Sequence, residues 1–579
     1  MTIVGTAGHV DHGKSTLVRA LTGTDPDRLA EERRRGLTIE LGFAHTVLPS
    51  GATLSIVDVP GHVRFIANML AGAGSVDAVL FVVAATEGWM PQSEEHLRIL
   101  ELLGVRRGIV VLTMADLVDD EWRELQQLDV ADHLAGSFLA DAPLVSVSAV
   151  TGQGIERLIE AIDAMLADEP PMDAASGLVA IDRPRLWIDR SFAIAGAGTV
   201  VTGSLTGGGL RVDETIDVVP QRRTARIRGL QVHGHAVPTA AAGTRVAVNL
   251  AGIDHDHVGR GDALVHVAQW RPTKRLDASL HVLETLGHVV SRRGAFTAFI
   301  GSGQYPVRVR ILGAESIRPG GDGLVRLHLT TAVAVRPGDR FVVRESGRDE
   351  TVGGGEVLDV APIRPASKAA PDRRVQRVID EHGWIAVDEL AALTGEQRQP
   401  TAGIWVISDA TLASVVERIE SAVAGGGPAG VDVAMFDERQ RAVLTTLEAF
   451  TVADGRVRRA DAIDPLLEHP AVAALAAEGV APSPPAGIER PDLRQLVRRG
   501  VLWERDGIFF HQRSIDLAIV AVQALATSHP DGFTVGDLRD ALGVTRKFAV
   551  PIATELDSRG LTRRNGDLRT PGPRLPRNS

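Results

Sequence analysis

The chain of 579 residues has no cysteine, no apolar run long enough to cross a membrane and no overall excess of positive charge. Without cysteine it has no disulfide framework and no thiolate zinc site, which suits a reducing compartment. The longest apolar run, near Ala78 to Ala85, is far shorter than the roughly 20 residues that span a bilayer. No leader-like pattern opens the sequence. We therefore expect a soluble, cytoplasmic protein.

Acidic residues outnumber basic ones, and the formal net charge is −11. A nucleic-acid partner would therefore have to bind at a local basic patch. The last 39 residues contain such a patch, because eight Lys or Arg against three Asp or Glu give a local charge of +5. At about 150 residues per domain, the length predicts roughly four domains.

The clearest motif is GHVDHGKST, which follows the short apolar stretch Ile3 to Ala7. Its spacing is the phosphate-loop pattern, in which backbone N–H groups and a helix N-terminus hold a polyphosphate. Gly13 permits close approach, Lys14 brings positive charge to the β- and γ-phosphates, and the Ser15 hydroxyl can ligate Mg²⁺. The predicted nucleotide-binding residues of this loop are Gly8, His9, Val10, Asp11, His12, Gly13, Lys14, Ser15 and Thr16.

Residues 1–172 alternate continuous apolar runs with amphipathic segments, which predicts an α/β nucleotide-binding domain with buried parallel strands. Thr38 is predicted to ligate the same Mg²⁺ as Ser15, and Asp58 to lie in its outer shell. The N–H of Gly61 is predicted to meet the γ-phosphate. His62 follows directly, and we predict that its imidazole orients the attacking water as the catalytic residue.

Base identity is predicted to be read at two later strand ends, TMAD (113–116) and SAV (148–150). The Asp116 carboxylate can accept hydrogen bonds from the ring N–H and the exocyclic amine of guanine, which adenine does not present together. The Ala149 N–H, beside Ser148, would donate to the guanine carbonyl. Thr113 and Met114 stand where this motif usually has Asn and Lys. Because Met114 lacks an ammonium, we expect weaker nucleotide affinity with unchanged base specificity.

The motifs GHVDHGKST, RGLTI, DVPGH and MPQSEEHL resemble those of the translational GTPases related to elongation factor Tu. This resemblance covers the first third of the chain. It implies ribosome-stimulated GTP hydrolysis, with GTP or GDP and Mg²⁺ as cofactors. It leaves open which relative this is, since general elongation factors, the initiator-tRNA carrier and the GTPase subunit of sulfate adenylyltransferase share the loop.

After the first domain the pattern changes to short β-rich stretches separated by Gly, Pro and Asp. This pattern predicts one β-barrel over 176–268 and a second over 270–362. A glycine run at 353–355 is expected to form a tight turn or a bulge. In translational GTPases, two such barrels bind aminoacyl-tRNA.

The segments RLWIDRSFAIAGAGTVVTGSL and RGLQVHGH are similar to those of the selenocysteine-specific elongation factors. That resemblance implies that Asp189, Arg190 and Arg245 surround the selenocysteinyl group. A selenol is anionic at neutral pH, so two guanidiniums would stabilise it, whereas a seryl group would leave buried cations unpaired. Ordinary ion pairing on the barrel rim is the alternative interpretation.

The region 365–579 is predicted to hold about four tandem winged-helix units that bind RNA, the last at 513–579. In two of them a helix ends in Arg-Gly and runs into a hairpin with an Asp-Gly or Asn-Gly turn. The last unit resembles the terminal winged helix of the same family. A solvated basic face is the alternative to RNA binding there. The predicted RNA contacts are Arg546, Lys547, Arg563 and Arg564.

Together these patterns predict a multidomain fold with an α/β P-loop GTPase domain, two β-barrels and tandem winged helices. We predict a monomeric, GTP-dependent elongation factor with no membrane partner. It would deliver selenocysteinyl-tRNA to the ribosome at recoded UGA codons while its tail binds the selenocysteine insertion hairpin of the mRNA. The alternatives are a GTPase subunit of a sulfate-activation complex, another translational GTPase, and an RNA regulator whose nucleotide domain is only structural.

Overall fold

The computed structural model describes residues 2–26, 38, 40–62, 68–70, 76–167, 182–196, 198–453, 455–462 and 465–576. They form two compact units, Met1–Asp409 and Ala410–Ser579. Every helix in these ranges is too short or too polar to be a transmembrane span.

The first unit begins with a six-stranded sheet of order β2-β3-β1-β4-β5-β6, parallel except for β2. Its elements are β1 Thr2–Ala7, α1 Lys14–Thr22, β2 Gly42–Val47, β3 Thr53–Asp58, β4 Ala78–Ala84, α2 Pro91–Leu102, β5 Gly108–Thr113, a 3₁₀ turn Ala115–Leu117, α3 Asp120–Leu134, β6 Leu144–Ser146 and α4 Ile155–Ala167. Helices α2 and α3 pack on one face of the sheet, and α1 and α4 pack on the other. Because both faces are covered, every residue of β4 and β5 is buried.

A closed six-stranded barrel follows, of order β10-β15-β7-β8-β14-β11, in which β10 also pairs with β11. Its elements are β7 Arg185–Ile194, β8 Gly198–Thr206, β9 Leu210–Arg211, β10 Thr215–Val219, β11 Arg223–Val232, β12 His235–Val237, β13 Thr239–Ala240, β14 Thr244–Ala251, a 3₁₀ turn His255–His257 and β15 Ala263–His266. Alternate residues of β14 are buried, as expected of a strand with one face on a barrel core.

The second barrel is also closed and six-stranded, of order β16-β21-β19-β18-β22-β23. Its elements are β16 Thr273–Val282, β17 Val290–Ser291, β18 Phe296–Ile300, β19 Gly303–Leu312, β20 Ser316–Ile317, β21 Asp322–Val333, β22 Arg340–Glu345 and β23 Glu350–Asp359.

The glycine run 353–355 lies inside β23 and forms no turn, although the register with β22 shifts immediately beside it. A Cβ on Gly353 would lie 2.1 Å from the carbonyl oxygen of His281, and one on Gly355 would lie 2.0 Å from that of Ser279. Glycine is therefore required because β23 and β16 approach too closely for side chains.

The first winged helix packs with the second barrel. It contains a 3₁₀ turn Ala366–Lys368, α5 Val375–His382, β24 Trp384–Ala386, α6 Val387–Thr394 and β25 Trp405–Ile407. Its apolar residues, among them Ile379 and Leu390, belong to the same core as the barrel. The guanidinium of Arg183, which precedes the first barrel, donates a hydrogen bond of 2.6 Å to the carbonyl of Ala392. Part of the predicted RNA-binding tail is thus buried against the barrels.

Three further helix–hairpin modules make up the second unit. Their elements are α7 Asp409–Gly425, β26 Val431–Asp432, α8 Glu438–Leu444, β27 Phe450–Ala453, β28 Arg456–Arg459, α9 Pro470–Glu478, α10 Arg490–Arg498, β29 Leu502–Arg505, β30 Ile508–His511, α11 Arg513–Ser528, β31 Phe533–Thr534, α12 Val535–Leu542, α13 Arg546–Ser558, β32 Thr562–Asn565 and β33 Leu568–Pro571. Helix α12 begins with a capping box between Thr534 and Asp537. The core of the last module includes Trp503 and Phe510, which precede residue 513.

Candidate functional site

The loop between β1 and α1 depends on glycine at two positions. A Cβ on Gly8 would lie 2.0 Å from the carbonyl oxygen of Val82, and Gly13 has a φ of 81° at the start of α1. The ammonium of Lys14 donates hydrogen bonds to the carbonyl oxygens of Gly8 at 3.0 Å and His9 at 2.6 Å. Burial lowers the pKa of Lys14 to about 8. The ammonium is therefore held over the loop, where a bound anion would stabilise its charge.

Helix α2 supports this loop from behind. The N–H of Gly8 donates to His96 Nδ1 at 3.0 Å, and the N–H of Val10 donates to Gln92 Oε1 at 3.1 Å. Burial lowers the pKa of His96 to about 3, so its ring is neutral and Nδ1 can accept. These two roles were not predicted from the sequence, although Gln92 and His96 lie four residues apart on one helix face within MPQSEEHL.

Three predicted Mg²⁺ residues converge beside Lys14. The Ser15 hydroxyl donates to Asp58 Oδ2 at 2.6 Å and lies 2.7 Å from the hydroxyl oxygen of Thr38. The other Asp58 oxygen accepts a 2.7 Å hydrogen bond from the hydroxyl of Thr6, a residue that sequence analysis missed. Hydroxyl and carboxylate oxygens are the ligands that Mg²⁺ prefers, so this donor set fits the ion.

Gly61 and His62 lie at the end of the turn after β3. A Cβ on Gly61 would lie 2.4 Å from Lys14 Nζ and 2.8 Å from the nitrogen of Val10, so only glycine fits there. His62 is half-buried. Burial is the main cause of the lowered pKa of His9, and the charge of Lys14 adds to it. His62 directly follows Gly61, the residue that lies against the phosphate loop. Arg33–Leu37 and Ile39 of the RRRGLTI motif fall outside the described residues.

The two predicted base-reading motifs end neighbouring strands, β5 and β6. The hydroxyl of Thr113 donates to the carbonyl oxygen of His12 at 2.7 Å, so it supports the phosphate loop. Met114 has a φ of 56°, and its terminal methyl carbon is 3.9 Å from the position of a Cβ on Gly13. Asp116 is exposed in the following 3₁₀ turn. In the second motif Ser148 is buried, and Ala149 beside it is half-buried.

A second polar cluster lies where the first barrel meets the GTPase-like domain. Arg245 makes a bidentate pair with Asp189, with nitrogen–oxygen distances of 2.9 and 2.8 Å. Thr202 bonds to both residues. The Arg245 guanidinium lies 3.5 Å above the ring of Phe43. Arg190 lies 5.5 Å from the centroid of the same Phe43 ring, so the three predicted residues lie around one aromatic side chain. The partners Thr202 and Phe43 were not predicted from the sequence.

Arg190 joins the barrel to the segment that follows Thr38. Its guanidinium donates to the carbonyl oxygen of Leu41 at 2.5 Å and lies 3.3 Å from the carboxylate of Glu40. Arg190 and Arg245 therefore each have a carboxylate partner, Glu40 and Asp189. An incoming anion would have to compete with those carboxylates.

The predicted RNA contacts lie on the last winged helix of the second unit. Arg546 and Lys547 are exposed at the start of α13, and Arg563 and Arg564 are exposed on β32. Among the described residues none of these four is in an ion pair. By contrast Arg569 is 4 % exposed and bonds to Asp557. The exposed positive charge is thus concentrated on the helix start and the wing.

Comparisons with known proteins agree with this architecture. Models of the elongation factor Tu GTP binding domain and domain 2 match residues 1–168 and 198–265. Models of the selenocysteine-specific elongation factor β-barrel domain and the elongation factor SelB winged helix match 275–364 and 524–570. The selenocysteine-specific elongation factor of Desulfomicrobium baculatum is 33% identical, with 98% of this chain and 99% of that protein covered. The chain belongs to the selenocysteine-specific elongation factor family.

Solved structures of selenocysteine-specific elongation factors are also similar. A bacterial factor, EF-Sec, has a TM-score of 0.70 and 27% identity, with 98% of this chain and 99% of that one covered. The Methanococcus maripaludis factor SelB, solved with the GTP analogue GPPNHP, has a TM-score of 0.54 and 24% identity over 62% of this chain and 80% of its own. The second likeness concerns the fold alone.

Membership confirms the predicted family, fold class and function: the chain is a GTP-hydrolysing translation elongation factor specific for selenocysteine. It binds guanine nucleotide, and the family implies tRNA and mRNA binding in general terms. The sulfate-activation alternative is not favoured, because the second barrel and the last winged helix match domains named for selenocysteine factors.

Proposed function

We propose that this factor, with GTP and Mg²⁺ bound, holds selenocysteinyl-tRNA at Asp189, Arg190 and Arg245 and releases it after hydrolysis on the ribosome. One observation carries the proposal. Arg190 of the barrel bonds to the carbonyl of Leu41, three residues after Thr38, whose hydroxyl meets that of Ser15 in the phosphate loop. The pocket and the metal site are therefore joined through one short segment.

At the nucleotide, Ser15 and Thr38 would hold Mg²⁺ directly and Asp58 would hold it from the outer shell. The ion would neutralise charge on the phosphates when bound. Lys14 would turn its ammonium from the loop carbonyls to the β- and γ-phosphates. His62 would orient the attacking water. Asp116 and the Ala149 N–H would read guanine.

In the pocket, selection would work by competition. A selenolate can replace one carboxylate oxygen of Asp189 at the guanidinium of Arg245, because it too is an anion. A seryl hydroxyl is neutral, and a neutral hydrogen bond contributes only about 0.5–1.5 kcal/mol, so it would not open the bidentate pair. Selenocysteine would thus be preferred over serine because only its side chain carries a negative charge that can replace that of Asp189 at Arg245.

At the tail, Arg546, Lys547, Arg563 and Arg564 would contact the selenocysteine insertion hairpin of the mRNA. Their exposure and their lack of ion pairs with described residues support this role. Arginine can meet a phosphate with two hydrogen bonds and can stack on a splayed loop base. The mRNA hairpin would in this way bring the carrier to the correct UGA codon.

A binding experiment with three ligands tests the proposal: selenocysteinyl-tRNA, seryl-tRNA on the same tRNA body, and bulk elongator tRNA, each with GTP. The wild type should bind the first most tightly. Arg245→Ala should remove most of the preference over seryl-tRNA and leave GTP affinity unchanged. Arg211→Ala is a matched control, since that arginine lies on β9 of the same domain, outside the six barrel strands, and its side chain is 74% exposed. Equal affinity of the wild type for the first two ligands would contradict the proposal.

A further inference from the structure

Arg260, in the turn before β15, contacts both neighbours of the first barrel. Its Nη1 donates a 2.5 Å hydrogen bond to Asn68 Oδ1 of the GTPase domain. Its Nε donates a 3.2 Å hydrogen bond to the carbonyl oxygen of Ser302, in the turn between β18 and β19 of the second barrel. One guanidinium therefore links three domains.

The joint that carries Arg260 is fixed by buried hydrogen bonds. The carbonyl oxygen of Ile188 accepts from the N–H of Gly261 at 3.1 Å and from the hydroxyl of Ser302 at 2.6 Å. The hydroxyl of Tyr305, the single tyrosine of the chain, donates to the carbonyl oxygen of Gly261 at 2.5 Å. Ile188 directly precedes Asp189 and Arg190. The first residues of the aminoacyl pocket are thus attached to this joint.

Arg260 also shares the electrostatic field of the pocket. Partial burial lowers its pKa, the carboxylates of Asp189 and Glu40 oppose that shift, and the charge of Arg190 adds to it. The charges of Asp189, Glu40 and Arg190 therefore act on the Arg260 guanidinium.

On the GTPase side, Arg260 contacts a residue that is anchored in the domain core. Asn68 lies six residues after His62 along the chain, and the next two residues, Met69 and Leu70, are 0% and 2% exposed. Met69 and Leu70 pack in the core that includes β4 and α2. A shift of Asn68 would therefore accompany a rearrangement of this core, which also borders the nucleotide site.

We propose that Arg260 is a positioning residue that couples the GTPase segment at Asn68 to the aminoacyl pocket at Asp189 and Arg190. The inference rests on the proposed function of that pocket. Two arginines of the first barrel then hold the GTPase domain, Arg190 at Leu41 and Arg260 at Asn68. When the nucleotide state moves the segment at Leu41 or the segment at Asn68, the affinity of the pocket for tRNA changes. By reciprocity, bound tRNA changes the nucleotide affinity by the same factor.

The experiment measures this coupling in the full chain. Dissociation constants for selenocysteinyl-tRNA are determined with GPPNHP and with GDP, and their ratio is compared among the wild type, Arg260→Ala, Asn68→Ala and the double variant. Each single variant should reduce the ratio by about tenfold, within the usual range for coupled sites. The double variant should reduce it no further, since both changes remove one interaction. GPPNHP affinity in the absence of tRNA should stay within about twofold of the wild type.

Other results would overturn the proposal. If both single variants keep the wild-type ratio, Arg260 only joins the domains. This includes the case in which tRNA affinity falls equally with GPPNHP and with GDP. If Arg260→Ala does not fold, Asn68→Ala decides alone, because it leaves the guanidinium and its bond to Ser302 in place. Measuring the ratio with seryl-tRNA as well separates the two proposals: a pocket without selenocysteine preference contradicts the proposed function and still gives a coupling ratio.

Discussion

The hydroxyl of Thr113 donates a 2.7 Å hydrogen bond to the carbonyl oxygen of His12, so the strand that carries the proposed base-recognition motif holds the phosphate loop directly. Replacement by valine, which has the same shape, would leave this buried carbonyl without its donor, at a cost of about 1–3 kcal/mol. We expect Thr113→Val to weaken GTP and GDP binding by about tenfold, the equivalent of about 1.4 kcal/mol. Calorimetry measures both affinities. Thr113→Ser keeps the hydroxyl and should bind like the wild type; equal losses in both variants would contradict this role.

Lys14 and His62 should separate binding from catalysis. Lys14→Ala removes the cation over the loop, so we expect nucleotide binding to be abolished. His62→Ala removes only the proposed water-orienting group, so it should bind GTP normally and lose ribosome-stimulated hydrolysis. Equilibrium binding and single-turnover hydrolysis with and without ribosomes distinguish the two. Normal stimulated hydrolysis by His62→Ala would assign the catalytic role elsewhere.

His96 should make the first unit sensitive to acid. Its pKa is about 3 in the folded chain, below the 6.5 of an exposed histidine, so the unfolded chain takes up the proton more readily between these values. The stability that depends on the neutral ring is therefore complete above pH 6.5 and is lost as the pH falls towards 3, at up to about 1.4 kcal/mol per pH unit.

His96→Asn tests this origin, because asparagine can accept from the Gly8 N–H and does not titrate. We expect urea unfolding of the first unit to lose about 1 kcal/mol less between pH 6.5 and 5.5 in this variant than in the wild type. His255→Asn, at a ring that is 45% exposed, is the control and should change nothing. Identical acid sensitivity of wild type and His96→Asn would rule out His96 as the cause.

Acidification should also affect the aminoacyl pocket. In the proposed pocket a selenolate replaces a carboxylate oxygen of Asp189 at Arg245. Protonation of the selenolate removes the negative charge that makes this replacement possible. We expect the affinity ratio between selenocysteinyl-tRNA and seryl-tRNA to fall towards one as the pH is lowered, while binding of the tRNA body persists. Filter binding at a series of pH values measures this ratio. If the affinity ratio were independent of pH, the pocket would not recognise selenocysteine by its charge.

The tail arginines should determine the salt dependence of RNA binding. Each phosphate contact adds roughly one to the slope of log affinity against log salt, so Arg563→Ala with Arg564→Ala in the full chain should reduce the slope by up to about two. A changed base in the hairpin loop should lower affinity and leave the slope unchanged. Arg539→Ala, a 44% exposed arginine paired with Asp540, is the control. A slope unaffected by the double substitution would place the RNA contacts elsewhere.

The sequence predicted the parts of the nucleotide site that follow strand ends in a fixed order. Ser15 and Asp58 meet because the carboxyl ends of parallel strands share one edge of the sheet. Thr6, Gln92 and His96 were not found, because their roles depend on which side of a strand or helix faces the loop. That orientation is set by packing against other elements, and the spacing of Gln92 and His96 shows only that they share a helix face.

Two other features depend on contacts between distant segments. The glycine run 353–355 looks like a turn in the sequence, but glycine also occurs where two strands approach closely, and only the partner strand β16 decides between these cases. Arg190 pairs with Glu40 and Arg245 pairs with Asp189. The spacing of these residues in the sequence does not indicate which arginine pairs with which carboxylate. Likewise, the amphipathic pattern of α5 and α6 predicts a buried face and does not identify the second barrel as its partner.

Tyr305 is the single tyrosine of the chain, so it can be labelled without labelling any other residue. Fluorotyrosine incorporated during expression would place a single ¹⁹F nucleus on the ring whose hydroxyl donates to Gly261. Its resonance would report on the joint between the two barrels without any other signal of the same kind. A fluorinated Tyr305 would therefore be a spectroscopic label in contact with Gly261, the residue after Arg260, and nucleotide exchange could be followed there in real time.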